Sequence, residues 1–224
     1  MDPALYAYPP SDRPWVRTNF VSTADGSAQD EDGVSASLGG DPDHRAFTIM
    51  RSSCDVVLVG AGTARDEGYG PITAEGLDPA VRGDEPPPVL LLVTRSLDVP
   101  QRLRCPGVAV LTTSGVDADA VASLRADGVE VLQHGSDDVD WPAALAELGR
   151  RGWRRVLCEG GPSLQGALVA QDLVDEVCLT IAPALVAGDG LRPAVSSAPH
   201  RRDLRLAHAI DVDGVLLTRW LRAR

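Results

Sequence analysis

The segment Val156-Leu-Cys-Glu-Gly-Gly-Pro-Ser-Leu-Gln-Gly-Ala-Leu-Val169 constrains this chain most. An apolar run of strand character ends on Glu159, crosses two glycines and a proline, and opens directly into a helical pattern. Gly160 and Gly161 let the backbone approach a ligand closely, Pro162 suits the first helical position, and the unpaired N–H groups of the new helix point into the turn. An anion held there gains roughly 0.3–1 kcal/mol from the helix dipole. A second apolar run leads into Val59-Gly-Ala-Gly-Thr-Ala-Arg-Asp-Glu-Gly68. Neither turn fits a standard nucleotide motif. Gly161 and Gly166 have the P-loop gap, but Ala167 and Leu168 follow where Lys and Ser or Thr belong, and Arg65 stands where a Rossmann fingerprint has its third glycine. Two strand–glycine–helix turns in one chain favour a dinucleotide, and the missing P-loop lysine argues against a nucleotide triphosphatase.

All 21 basic residues are arginine, and the chain has no lysine. Schiff-base chemistry, a lysine general base and a P-loop lysine are thereby excluded. The formal net charge of −11 argues against a nucleic-acid surface. His44, His134, His200 and His208 are scattered without His-Glu-x-x-His spacing, so no metal is expected. Cys54, Cys105, Cys158 and Cys178 form no Cys-x-x-Cys pair and read as reduced thiols. A Gly-x-Ser-x-Gly elbow is also missing. With no leader-like opening and no apolar run of spanning length, the expectation is a soluble, cytoplasmic protein.

At 224 residues the chain fits one α/β domain, with residues 1–14 expected as an irregular arm. Trp15 to Ser22 reads as a strand; Asp41, as N-cap, and Pro42 open a helix to about Ser53. Strand patterns at 56–59, 89–93, 108–111, 129–132 and 156–157 alternate with helices near 117–126, 141–150 and 163–170, which implies a largely parallel sheet. Glycines and prolines mark 72–88 as a loop. Val174 to Ile181 reads as a further strand, and Leu204–Ile210 with Val215–Leu221 as an antiparallel hairpin joined by a three- or four-residue turn within Asp211-Val-Asp-Gly214.

Five blocks together carry a family resemblance: Thr18-Asn-Phe-Val-Ser-Thr-Ala-Asp-Gly26, Val59-Gly-Ala-Gly-Thr63, Leu92-Val-Thr-Arg-Ser96, Glu159-Gly-Gly-Pro-Ser-Leu164 and Leu173-Val-Asp-Glu-Val-Cys-Leu-Thr-Ile-Ala-Pro183. In order and spacing they resemble the reductase domain of riboflavin biosynthesis, most of all its stand-alone actinobacterial pyrimidine reductase members. The resemblance implies a dihydrofolate-reductase-like α/β fold of three layers: a mostly parallel sheet, helices on both faces and a C-terminal antiparallel hairpin. It also implies NADPH as cofactor, a homodimer, and reduction of 5-amino-6-(5-phosphoribosylamino)uracil by hydride transfer to C1′ of its sugar. The zinc-holding His-x-Glu and Pro-Cys-x-x-Cys of the associated deaminase are absent from the sequence.

By position in the family pattern, Gly60, Ala61, Thr63, Glu67, Thr94, Arg95, Gly160, Gly161, Pro162, Ser163 and Leu164 are expected to contact NADPH. Arg95, at a strand end, could clamp a 2′-phosphate with its fork of donors. Ser35, Arg51 and Glu159 fall at substrate positions. Arg51 suits a substrate phosphate or the end of its helix; Glu159 suits a uracil edge, a proton-donor orienter or a helix cap. Asn19 stands where the family pattern has lysine, Asp66-Glu-Gly-Tyr-Gly-Pro71 replaces its Asp-Asp-Pro segment, and the next arginine is Arg82. Asp25, in Ala-Asp-Gly, reads as a turn residue. Two alternatives stay open: reduction of dihydrofolate or a related pterin, and NADPH binding with little catalysis.

Overall fold

In the computed structural model, which describes residues 1–35 and 37–223, nine strands form one sheet in the order β5-β4-β3-β2-β6-β1-β7-β9-β8. The elements along the chain are β1 (Trp15–Thr23), α1 (Gly40–Ser53), β2 (Val56–Gly60), α2 (Ala61–Asp66), α3 (Pro79–Arg82), β3 (Val89–Val93), β4 (Val108–Thr112), α4 (Ala118–Ala126), β5 (Glu130–Gln133), α5 (Trp141–Arg150), β6 (Arg155–Cys158), α6 (Pro162–Ala170), β7 (Glu176–Ala182), β8 (Leu204–Val212) and β9 (Val215–Arg222). Pairing is parallel from β5 through β7 and antiparallel between β7, β9 and β8.

The short apolar strands are buried on both faces, as parallel strands must be when helices cover each side. Val57 and Val59 of β2 face one core with Ala46, Ile49 and Met50 of α1 and Leu124 of α4. Val56 and Leu58 face the other with Trp141, Ala144 and Leu148 of α5 and Leu168 of α6. Helix, sheet and helix thus form three layers. Among the described residues no helix is long and apolar enough to cross a membrane.

The chain leaves β2 toward β3 on one side and leaves β6 toward β7 on the other. The strand connections diverge at the carboxyl ends of these neighbours, the place where open α/β sheets bind ligands.

Four local expectations are corrected. The arm before β1 is not irregular throughout: Pro3–Tyr6 forms a 3-10 turn and Tyr6 is buried. Buried arginines need acceptors, and the arm supplies them: Arg219 donates to the Leu5 carbonyl at 2.7 Å and Arg17 to that of Ala7 at 3.5 Å. Helix α1 has Gly39, not Asp41, at its N-cap, without a side-chain cap. Asp43 packs against Gly39, where a Cβ would lie 2.2 Å from Asp43 Cβ. Within 72–88, Ala74–Gly76 forms a 3-10 turn and Pro79–Arg82 a helical turn capped by Asp78, whose carboxylate accepts from Ala80 N–H at 2.9 Å. Arg82 anchors this stretch by donating to the carbonyls of Ser52, Cys54 and Pro86. The C-terminal hairpin closes in two residues, because Val212 pairs with Val215. Asp213 and Gly214 both have positive φ, 53° and 83°, as the tightest hairpin turn requires.

The register of β1 on β7 is fixed from inside. Arg17 lies opposite Glu176, both side chains are fully buried, and Arg17 Nε donates to Glu176 Oε1 at 2.6 Å. Arg219 of β9 donates to the same oxygen at 2.8 Å. Burial alone would raise the Glu176 pKa, but the Arg17 charge and the hydrogen bonds from both arginines outweigh it and hold the pKa down. A depressed folded-state pKa means that this stabilisation is present above the ordinary carboxylate range and is lost as pH falls through the lowered value. Glu176→Gln is expected to cost roughly 3–5 kcal/mol at neutral pH, the range for breaking a buried ion pair, and to flatten the acid limb of the stability curve, measured by urea unfolding between pH 3 and 8.

Candidate active site

The two glycine turns meet where the connections diverge. Gly60 ends β2 and donates its N–H to the Gly160 carbonyl at 2.7 Å. A Cβ on Gly161 would stand 2.4 Å from Thr63 Oγ1, and Gly160, at φ 105°, lies against the Phe20 ring. Neither glycine can carry a side chain without moving these neighbours. The Gly160–Gly161 peptide is cis. Helix α6 begins at Pro162 with Gly161 as N-cap and no side-chain cap, so the Ser163 and Leu164 N–H groups have no intrahelical acceptor.

On one side of this junction a depression of about 440 Å³ is lined by Gly60, Val93, Arg95, Asp138, Ser163 and Leu164. Arg95, Ser163 and the N-terminus of α6 give it donors that suit an anion, and Val139, Trp141 and Ala167 make the rest of its wall apolar. Arg95 is 72% exposed at the side chain and pairs with Asp138 at 3.0 Å, so its fork is accessible. Thr94 is turned inward instead: its hydroxyl accepts the Leu97 N–H at 3.2 Å and it is nearly buried. Ala61 is likewise buried, leaving only its backbone to a ligand.

On the other side lies a cavity of about 240 Å³ lined by Asn19, Phe20, Val21, Gln29, Ser35, Asp43, Phe47, Thr63, Glu67, Tyr69, Glu159, Gly161 and Pro162. It continues into a space that reaches His44 and Arg51. Glu159, one residue beyond β6, is 8% exposed. Arg51 reaches it from the last turn of α1 in a bidentate pair, Nε to Oε1 at 2.7 Å and Nη2 to Oε2 at 2.6 Å. The Tyr69 hydroxyl donates to Oε2 at 3.0 Å. The guanidinium lies 4.1 Å from the Phe47 ring centre and 5.1 Å from that of Tyr69. Burial opposes the Arg51 charge, but the Glu159 carboxylate outweighs it and holds Arg51 protonated. Burial first, and then the negative Glu159, push the Tyr69 phenol well above its ordinary value.

Asn19, Ser35 and Glu159 line this cavity, and Arg51 lines its continuation. Asn19 lies on its wall at 9% exposure. Ser35 donates both its N–H, at 3.2 Å, and its hydroxyl, at 3.0 Å, to Glu67 Oε1, which ties the segment after β1 to the end of α2. Arg82 is buried under α1 and does not reach the cavity. Asp25 serves a turn: it accepts from Thr23 and from the Ala187 N–H at 2.7 Å. Several lining residues are not among the sequence-derived site residues, Asp43, Phe47 and Tyr69 foremost. Phe47 and Tyr69 sit in a helix and a glycine-flanked segment whose sequence offers no binding motif, and Asp43 was read only as part of a helix start.

A protein-family model described as the RibD C-terminal domain matches residues 14–217. The chain belongs to the RibD C-terminal domain family. A relative in Methanothermobacter thermautotrophicus, named 2,5-diamino-6-ribosylamino-4(3H)-pyrimidinone 5′-phosphate reductase, is 33% identical over 187 residues, covering 82% of this chain and 84% of the relative. The structure of a pyrimidine reductase-like protein from Corynebacterium diphtheriae superposes with a TM-score of 0.80 over 94% of this chain and 92% of that one, at 24% identity. Dihydrofolate reductase from Enterococcus faecalis shares the fold, with a TM-score of 0.51 at 14% identity over 94% of this chain and 97% of that one. This RibD C-terminal domain chain therefore has the dihydrofolate-reductase-like fold.

Arg51 and Glu159 hold each other so closely that removing one strands a buried charge. Arg51→Ala is expected to lower stability by roughly 3–5 kcal/mol, whereas Arg51→Ala/Glu159→Ala recovers much of the loss; thermal unfolding of the three proteins checks this.

Proposed function

We propose that this chain is the pyrimidine reductase of riboflavin biosynthesis, acting on 5-amino-6-(5-phosphoribosylamino)uracil with NADPH. The observation that carries the reading is the junction of the two glycine turns: Gly60 lines a depression beside the start of α6 on one side, and Gly161 lines a cavity walled by aromatic rings and carboxylates on the other. A dinucleotide spanning the junction would have its pyrophosphate at Ser163 and Leu164 and its nicotinamide at the Gly60–Gly161 edge. Bound there, the reduced nicotinamide supplies hydride to C1′ of the substrate in its ring-opened imine form.

The protein's part is position and environment. The backbone N–H groups at the start of α6 hold the phosphates, and the crowded Gly60, Gly161 and Thr63 fix how closely the two ligands approach. Glu159, fixed by Arg51 and Tyr69, presents an acceptor to the pyrimidine edge. Arg95 selects NADPH by meeting the 2′-phosphate with two donors in exchange for Asp138. Asn19, in place of a cation, provides a neutral hydrogen-bonding group on the substrate side.

The same reading includes a cytoplasmic homodimer. Strand β8 is the sheet edge and is exposed along most of its length, with Leu204 40% and Leu206 44% open. Pairing with a second copy would cover this edge. Light scattering is expected to give twice the chain mass.

The test follows loss of reduced-nicotinamide absorbance with the uracil substrate, with the diamino compound named for the archaeal relative, and with dihydrofolate as control. Turnover of a phosphoribosylamino pyrimidine alone is expected. Arg95→Ala is expected to raise the KM for NADPH roughly 10- to 100-fold, the scale of 1.5–3 kcal/mol for hydrogen bonds to a charge, with that for NADH nearly unchanged.

A further inference from the structure

The reduction needs a proton as well as a hydride, and four acidic side chains line the cavity: Asp66 at its rim is exposed to solvent, and the other three are engaged differently. Both oxygens of Glu159 are occupied by donors, from Arg51 and Tyr69. Glu67 is tied through Oε1 to Ser35. Asp43 has neither an ion pair nor a second donor among the described residues: Oδ1 accepts the Thr180 hydroxyl at 2.5 Å, and Oδ2 is free of protein partners. Asp43 lines both the 240 Å³ cavity and its continuation. The first turn of α1 projects it toward β7, where Thr180 stands beside Val21 of β1. Asn19 and Val21, two residues apart on β1, line the cavity between Glu159 at the end of β6 and Asp43 over β7.

We infer that Asp43 is the proton donor of the reduction, an assignment that rests on the reductase reading above. In the ring-opened substrate C1′ is doubly bonded to the nitrogen on the pyrimidine. Hydride from the dihydronicotinamide forms the new C1′–H bond, the π pair of C=N moves onto nitrogen, and nitrogen takes the Asp43 proton. The dihydronicotinamide ends as the oxidised nicotinamide, the imine as a secondary amine, and Asp43 as a carboxylate that regains its proton from solvent. Asp43 suits the role because burial raises its pKa, partly offset by the Thr180 hydrogen bond and by His44. The groups facing it are Tyr6 of the N-terminal arm, His44 on its own helix, Thr180 on β7, and Asp66, Glu67, Tyr69, Arg51 and Glu159 across the cavity. Protonated Asp43 is the active form, so turnover is flat at low pH and falls as pH rises through the Asp43 pKa.

The experiment measures kcat, KM and their pH profiles with NADPH and the phosphoribosylamino pyrimidine for the full chain, Asp43→Asn, Thr180→Val and Glu67→Gln. Direct binding of NADPH and circular dichroism confirm that each protein is folded. Asp43→Asn is expected to lower kcat about 10²–10⁴-fold, the usual range for a general acid, to leave KM within a few-fold, and to abolish the alkaline limb. Thr180→Val, which removes the hydrogen bond favouring the carboxylate, is expected to move that limb to higher pH. A raised KM with kcat unchanged in Asp43→Asn, or loss of the limb in Glu67→Gln with its retention in Asp43→Asn, overturns the assignment. Should Asp43→Asn fail to fold, an unmoved limb in Thr180→Val overturns it equally. Absence of turnover in the unmodified protein rejects the reductase reading itself, and the proton-donor assignment with it.

Discussion

Everything about the site depends on β1 keeping its register, and a buried ion pair does that. The side-chain period of a strand is two, so a slip of one residue would turn Arg17, Asn19 and Val21 to the opposite face. Such a slip would drive the Arg17 guanidinium into an apolar core, which Arg17 against Glu176 forbids at a desolvation cost no hydrophobic contact could offset. The same pair recruits the N-terminal arm, because Arg17 and Arg219 require more acceptors than Glu176 has. A strand that carries cavity-lining side chains is thus locked two residues before the cavity begins.

The fold was legible where apolar runs were short and continuous. Val89–Val93 matches β3, and the helices near 117–126 and 141–150 match α4 and α5, because the capping residues Asp117 and Asp140 stand just before them. Legibility failed where tertiary contacts chose the local form. Asp41 is a reasonable cap by its type, yet the helix already begins at Gly40, and Gly39, against which Asp43 packs, takes the cap position. The turns within 72–88 form because Arg82 finds backbone acceptors at the end of α1, a partnership between segments thirty residues apart that no local pattern records.

Within the site, the glycine turns were readable because their job is a property of backbone, which sequence announces directly. The carboxylates and aromatics were not equally readable. Glu159 stood out through its position beside two glycines, but its bidentate union with Arg51 joins residues 108 positions apart. Phe47 and Tyr69 look like ordinary core residues until the fold brings both rings against one guanidinium. Asp43 shows no sign of its surroundings in sequence, since its burial and its Thr180 partner come from β7.

The clasp of Arg51 on Glu159 also sets a condition on what can bind. An anion that drew Arg51 away would leave Glu159 nearly buried with only Tyr69 to donate to it, and an uncompensated buried carboxylate is costly. A ligand offering a donor edge alone can add to the clasp, because Glu159 accepts three hydrogen bonds and a carboxylate has about four acceptor sites. A molecule that brings a negative group and a hydrogen-bond donor together can replace both partners at once. The pair therefore resists an anion that arrives alone, while it stays open to a donor edge and to a compound that joins the two.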